Sequence, residues 1–136
     1  MSIVSYIIIT FIILFLDFIW LYLNANSYKK LVKDVQGSPL IINPLGASLS
    51  YLCVLSIFFY IIPIIKDKYK TQKNLFILSL TYAGSIGFLT YAIINTTNIA
   101  IFKNYNIFIA LKDTLWGTFL FTISAYLFFI IDHKLK

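Results

Sequence analysis

Four long apolar segments, separated by short polar ones, dominate the pattern along the chain. They are residues 3–23, 45–65, 75–95 and 113–131, and the apolar character of the third continues toward Ala100. Each is close to the roughly 20 apolar residues that a transmembrane helix requires. The first lacks a basic leader and a small-residue cleavage site, so we interpret it as a span rather than a signal peptide. The pattern predicts an all-α bundle of four transmembrane helices in one domain, residues 1–136.

The polar segments between the spans contain most of the lysines. Within the first, SYKKLVKDVQG (27–37) predicts a short surface helix that ends at Gly37. Four spans place both termini and the second loop on one side of the membrane. That side carries Lys66, Lys68, Lys70, Lys73, Lys134 and Lys136, and the other carries Lys29, Lys30, Lys33, Lys103 and Lys112. The excess of one lysine favours cytoplasmic termini under the positive-inside rule.

Composition supports membrane insertion and excludes several other classes. The chain is 60% hydrophobic and 12% charged, whereas soluble domains are about 25% charged. Its net charge of +6 comes from lysine alone. Because the lysines form no stripe on a polar helix and arginine is absent, we expect the bilayer as partner and no nucleic acid. Cys53 and His133 are each the only residue of their kind, so we expect a buried Cys53, no metal site and no cofactor.

Two aspartates interrupt or adjoin the apolar segments. Asp17 in LDFIWL and Asp113 in KDTLWG are each followed three residues later by a tryptophan, Trp20 and Trp116. An aspartate near the bilayer centre costs about 2.5–3.5 kcal/mol, so it tends to face a partner or a hydrated cavity. Structural interpretations stay open: interfacial tryptophans, an Asp113 favoured by a helix dipole, and an Asp17 that only ties the bundle together. The partners expected for such a tie are Asn95, Thr97, Asn98 or Lys112.

Helix direction brings these residues toward one membrane face. Asp17 lies near the exit end of the first span, NTTN (95–98) ends the third, and Asp113 opens the fourth. In the third span a stripe of small, then polar, residues follows steps of three and four, which favours close helix packing; a weaker stripe in the second span comprises Gly46, Ser50 and Cys53. The third-span stripe comprises Gly84, Gly87, Tyr91, Asn95 and Asn98. The predicted ligand or ion site comprises Asp17, Trp20, Tyr91, Asn95, Thr97, Asn98, Asp113 and Trp116.

Three stretches of the chain resemble the domain of unknown function 2177 (DUF2177) family of small membrane proteins. They are LDFIWL, TYAIINTTNIAIFKNY (90–105) and KDTLWG. In the second stretch the family pattern has an Asp-x-Thr-Asn group, and Asn95 stands where that pattern has aspartate. The resemblance covers essentially the whole chain. It implies a multi-pass membrane protein without an assigned activity, so no functional residue is transferred from it.

Three functions remain open on the sequence alone. The first is a small carrier or channel, in which Asp17 and Asp113 bind a cation or proton and a homodimer forms the pathway. The second is a membrane-embedded enzyme that acts on a lipid head group with the two acids as an acid/base pair. No histidine, nucleophilic cysteine or arginine accompanies those acids, which makes enzyme chemistry the weaker hypothesis. The third is a structural subunit or assembly factor.

Overall fold

The computed structural model describes residues 1–72 and 74–135. Lys73 and Lys136, which entered the lysine count, lie outside the described residues. The described part of the chain is helical and contains no strand, which confirms the all-α class. Its helices are α1 (Ile3–Leu23), α2 (Ala25–Gln36), α3 (Pro44–Tyr69), α4 (Leu75–Ile101) and α5 (Ile107–Lys134). By length and composition α1, α3, α4 and α5 can each span a membrane.

Local capping explains where the helices begin. Asn43 caps α3 through Gly46 N–H, and Pro44 occupies the first turn, where its missing N–H costs nothing. The side chain of Asn106 accepts from the backbone N–H groups of Phe108 and Ile109, so α5 begins at Ile107, earlier than the predicted span. Asp113 consequently lies beyond the first turn of α5. The helix-dipole interpretation of this acid therefore loses its basis, because that effect is confined to the terminal turn.

The predicted surface helix in the first loop is present as α2. It ends at Gly37, whose φ of +74° is the left-handed conformation that glycine adopts at helix C-termini. The N–H of Gly37 donates to the carbonyl of Lys33 at 2.9 Å. Leu31 is the buried residue of this helix, while Lys29, Lys30 and Lys33 are exposed. This helix therefore lies against the bundle along one narrow apolar face.

The core of the bundle is built around α5, which packs against α1, α3 and α4. α4 and α5 approach each other closely, as the small-residue stripe in the third span predicts. A Cβ at Gly87 would meet the backbone carbonyl oxygen of Gly117, and a Cβ at Gly117 would meet the ring of Tyr91. The apolar core includes Ile9, Ile13, Phe58, Ile62, Phe121 and Phe128.

The weaker stripe predicted in the second span does not face the bundle. Gly46, Ser50 and Cys53 are exposed on α3, so the expectation of a buried Cys53 was wrong. The buried residues of α3 lie instead in its second half, and they are Phe58, Ile61, Ile62 and Ile65. Large branched and aromatic side chains bury more apolar area than a stripe of small ones, and they decide which part of α3 contacts the core.

Candidate functional site

Asp17 lies on the inward face of α1 and is 8% exposed. One carboxylate oxygen, Oδ2, accepts from the hydroxyl of Tyr51 at 2.7 Å. The other, Oδ1, accepts from the indole Nε1 of Trp116 at 2.9 Å. This acid therefore joins α1 to both α3 and α5.

The partners predicted for Asp17 were wrong. Its described bonds come from Tyr51 and Trp116, not from Asn95, Thr97, Asn98 or Lys112. Trp116 lies one turn deeper in α5 than Lys112, and its long indole reaches across to α1. The Nζ of Lys112 instead donates to Asn24 Oδ1 at 3.0 Å and lies 5.8 Å from the centroid of the Trp20 ring.

Asp113 receives its hydrogen bonds from two other helices. Its Oδ1 accepts from the hydroxyl of Tyr28, on α2, at 2.6 Å. Its Oδ2 accepts from Nδ2 of Asn95, on α4, at 3.0 Å. Asn95 is 3% exposed, and its Oδ1 accepts from the hydroxyl of Tyr105 at 3.0 Å. Asp113 thus holds the surface helix α2 and the end of α4 against α5.

The two tryptophans stack on each other and connect the two acids. Their rings are 4.7 Å apart between centroids and 2° from parallel. Nε1 of Trp20 donates to the hydroxyl of Tyr28 at 3.0 Å, and that hydroxyl donates to Asp113. In the two Asp-x-x-Trp pairs, each tryptophan therefore interacts with the acid of the other pair. Trp116 does so directly with Asp17, and Trp20 does so with Asp113 through Tyr28. We call this arrangement the aspartate–tryptophan cluster, and its members are Asp17, Trp20, Tyr28, Tyr51, Asn95, Asp113 and Trp116.

The donors to both acids are electrically neutral. They are phenol, indole and amide groups, and the ion pair in the described residues, Lys70–Asp67, lies in the last turn of α3. Burial raises the pKa of Tyr28 well above its ordinary value, and its hydrogen bond to Asp113 and the charge of that acid raise it further. The phenol of Tyr28 therefore keeps its proton and remains a donor throughout the physiological pH range.

The other sequence-predicted residues lie around or outside the cluster. Tyr91 packs its ring against Gly117, and its backbone carbonyl accepts from Asn95. Asn98 lies at the margin, where its Nδ2 is 3.4 Å from the hydroxyl of Tyr105. Thr97 is exposed and makes no side-chain hydrogen bond within the described residues, so the fold does not bring it to the acids.

Sequence reasoning missed three phenols that complete the network: Tyr28, Tyr51 and Tyr105. Tyr28 could have been found, because it lies three residues before Leu31 and shares the inward face of the amphipathic α2. Tyr105 ends the second stretch that carries the family resemblance, but no role follows from that resemblance, and Tyr51 gave no signal. The chain has 10 tyrosines, and this type is common at membrane interfaces for reasons unrelated to a site.

The cluster is closed rather than open to a ligand. The space beside it, lined by Trp20, Asn24, Ser27, Tyr28, Ile109 and Lys112, amounts to about 10 Å³. A cavity of that size is at the lower limit for a single water molecule. A larger cavity, about 560 Å³, lies elsewhere and includes none of the predicted site residues in its lining.

Four membrane-length helices with an internal polar network define a multi-pass integral membrane protein. The model of a family described as "Predicted membrane protein (DUF2177)" matches residues 2–130, and the chain belongs to this family. This confirms the resemblance carried by the three sequence stretches. Searches of curated proteins and of solved structures found no match.

Proposed function

We propose that this protein is a small proton-linked carrier of a cationic solute, with its intramembrane site built on Asp17 and Asp113. The observation that carries the proposal is that, among the described residues, the hydrogen-bond donors to both acids are neutral. Tyr51 and Trp116 serve Asp17, and Tyr28 and Asn95 serve Asp113. Within a membrane such an acid gains from binding a proton or a cation, which supplies the charge that these donors lack.

The aromatic surroundings favour an organic cation over a simple metal ion. Trp20 and Trp116 stack on each other between the acids, and the ammonium of Lys112 already lies 5.8 Å from the centroid of the Trp20 ring. Cations are attracted to aromatic faces by about 0.5–2 kcal/mol, more strongly as water is excluded. A site that combines carboxylates with indole and phenol rings suits a solute that is both charged and partly apolar.

A carrier must also open, and α2 is the element that would have to move. It contributes Tyr28 to the cluster and lines the small residual space beside Trp20. We interpret the closed arrangement as an occluded state. Release of the Tyr28–Asp113 hydrogen bond would expose Asp113 to the aqueous side on which α2 lies.

The proposal includes a homodimer with cytoplasmic termini. The space beside Trp20 and Tyr28 in one bundle is about 10 Å³, so two copies would supply the walls of a pathway. The excess of one lysine on the terminal side supports the orientation. Cys53, exposed and the only cysteine, provides a test, because cross-linking at that position reports a neighbouring copy that faces α3.

Uptake of ethidium into proteoliposomes with an imposed proton gradient tests the carrier. Asp17→Asn and Asp113→Asn should each slow gradient-driven uptake at least about tenfold, the rate equivalent of about 1.4 kcal/mol. Asp132→Asn, at a buried acid outside the cluster, is the matched control and should transport as wild type does. Uptake that is independent of the gradient, and equal in all four proteins, would refute the carrier.

A structural subunit or assembly factor is the second candidate. It is favoured by the complete pairing of the cluster, in which each of the four carboxylate oxygens of Asp17 and Asp113 accepts a hydrogen bond. In that case Asp17→Asn would lower the yield of folded protein, and no solute flux would depend on it. The proteoliposome assay separates the two, because it compares equal amounts of folded protein.

A further inference from the structure

A cavity of about 560 Å³ lies between the C-terminal ends of α3 and α5 and the beginning of α4. Its volume falls within the range of about 300–1,000 Å³ that is typical of ligand sites. Part of its lining is apolar, contributed by Leu75, Phe129 and Ile130, and part is basic, contributed by Lys66, Lys70 and Lys134. The combination is unlike the aspartate–tryptophan cluster, which is closed and acidic.

We propose that this cavity binds one anionic phospholipid, with its phosphate beside the three lysines and an acyl chain along the apolar lining. The inference does not rest on the proposed carrier function. It rests on charge complementarity at the ends of membrane-spanning helices, which is where head groups lie. Lysine can place its apolar stem along hydrocarbon while its ammonium stays at the head-group level.

Two acidic groups lie near the three lysines, and one of them, Asp132, contributes to the lining of the cavity. Asp67 pairs with Lys70 at 2.8 Å, but the two side chains are 70% and 72% exposed, and such pairs contribute little. Asp132 accepts from the backbone N–H of Ser2 at 2.6 Å and from the hydroxyl of Ser5 at 3.1 Å, so two of its interactions are directed at α1. The lysines therefore outnumber the acids around the opening.

The apolar lining distinguishes a lipid from a soluble anion. A free phosphate would use the lysines and leave Leu75, Phe129 and Ile130 without a partner. A phospholipid supplies both a negative head group and a hydrocarbon chain, so it matches both parts of the lining. Electrostatic attraction between the lysines and the negative head group favours an anionic lipid, and the apolar contact adds to it.

Native mass spectrometry of the protein from nanodiscs of mixed phosphatidylglycerol and phosphatidylcholine, with identical acyl chains, tests the proposal. Wild type should retain one phosphatidylglycerol with a preference of at least about tenfold. The triple variant K66Q/K70Q/K134Q should lose that preference. The variant K29Q/K30Q/K33Q removes the same charge from α2, at the other end of the bundle, and should keep it. Both should elute as monodisperse folded protein.

A second variant tests whether the apolar part of the cavity holds an acyl chain, without changing the charge of the protein. Leu75→Trp fills the apolar part of the cavity, and it should lose the retained lipid although all three lysines remain. Ile130→Trp serves the same purpose if the first variant does not fold. Equal loss of preference in the two lysine variants would overturn the proposal, since it would indicate general surface charge. Retention of phosphatidylglycerol by K66Q/K70Q/K134Q, or by the cavity-filled protein, would overturn it as well.

Discussion

Aspartates lie at both ends of the bundle, and their surroundings differ; Asp17 and Asp132 are buried, and Asp113 is half-buried. At one end, Asp132 accepts from the backbone N–H of Ser2 and the hydroxyl of Ser5. Ser2 is the N-cap of α1, so this acid satisfies a group at a helix N-terminus and interacts favourably with the helix dipole. At the other end, Asp17 and Asp113 lie within α1 and α5, away from any helix N-terminus, and their donors come from side chains on other helices.

The comparison shows which of these acids the fold itself explains. Asp132 ties the start of α1 to the end of α5, which is a sufficient structural reason for its burial. Within residues 1–72 and 74–135, Asp17 and Asp113 accept no backbone N–H, and their hydrogen bonds come from two phenols, an indole and an amide. A site within a membrane that demands so many side-chain partners is the better candidate for function. Four changes test this contrast.

The largest expected effect is from Gly87→Ala, which would separate α4 from α5 near the cluster. The new Cβ would meet a backbone carbonyl at Gly117, which cannot move as a side chain can. We expect a loss of roughly 3 kcal/mol in the free energy of unfolding, at the upper end of typical overpacking. Gly46→Ala is the control: its Cβ meets only Asn43, at 3.9 Å, so stability should hold or rise slightly. Equal free energies of unfolding for Gly87→Ala and Gly46→Ala in detergent would contradict the close α4–α5 contact.

Asp17→Leu should lower the free energy of unfolding less than Gly87→Ala does, but more than Asp132→Leu does. It leaves the Tyr51 hydroxyl and the Trp116 N–H unpaired inside the bundle, at a cost of about 2 kcal/mol, since hydrogen bonds in membrane proteins average below 1 kcal/mol each. Asp132→Leu frees the N–H of Ser2, which is only partly buried and can be hydrated. It also frees the buried hydroxyl of Ser5, which can donate instead to a carbonyl one turn earlier in the chain, so we expect about 1 kcal/mol. Unfolding in mixed micelles measures both, and a larger loss at Asp132 would reverse the contrast.

The contrast could be anticipated only in part from the sequence. Hydropathy predicted the four spans, and Asp17, Asp113 and both tryptophans were chosen because a charge inside an apolar run is costly. The pairing was not predictable, because a three-residue step places Asp17 and Trp20 on one face but does not say which of them crosses to α5. Asp132 was missed because the polar tail around it, DHKLK, reads as solvated. Asp132 is buried because the start of α1 packs against it. A contact between such distant parts of the chain cannot be predicted from the local sequence.

Tyr28→Phe tests whether α2 is held to the cluster by one phenol. It removes the donor to Asp113 and the acceptor of Trp20 N–H, at a cost of about 1 kcal/mol. A spin label at Lys30→Cys, in a Cys53→Ser background, should become more mobile at pH 8 in the Tyr28→Phe protein. Tyr22→Phe, at a tyrosine that is 73% exposed, is the matched control and should leave the label unchanged. An equally immobile label in Tyr28→Phe would show that other contacts hold α2.

The same label should report a pH dependence in the wild type. The pKa of Tyr28 is raised in the folded protein, so the folded state holds this proton more tightly than the unfolded state does. The stabilisation is therefore complete below about pH 10, the ordinary tyrosine value, and is lost as pH rises above it. Label mobility should increase above about pH 10 in the wild type and stay flat in Tyr28→Phe. A rise of equal size in both proteins would assign the transition to another group.

Trp20→Phe should change stability no more than Tyr28→Phe does, and it has the most specific spectroscopic signal. The two tryptophans of the chain stack within 2° of parallel, so their transitions should couple and give a split band in ultraviolet circular dichroism. Trp20→Phe should abolish that band and cost about 1 kcal/mol, whereas Phe119→Leu, beside Trp116 at 5.5 Å, should preserve it. Asp132→Asn should leave the band intact because its contacts lie at the other end. Persistence of the band in Trp20→Phe would mean that it does not arise from the stacked pair.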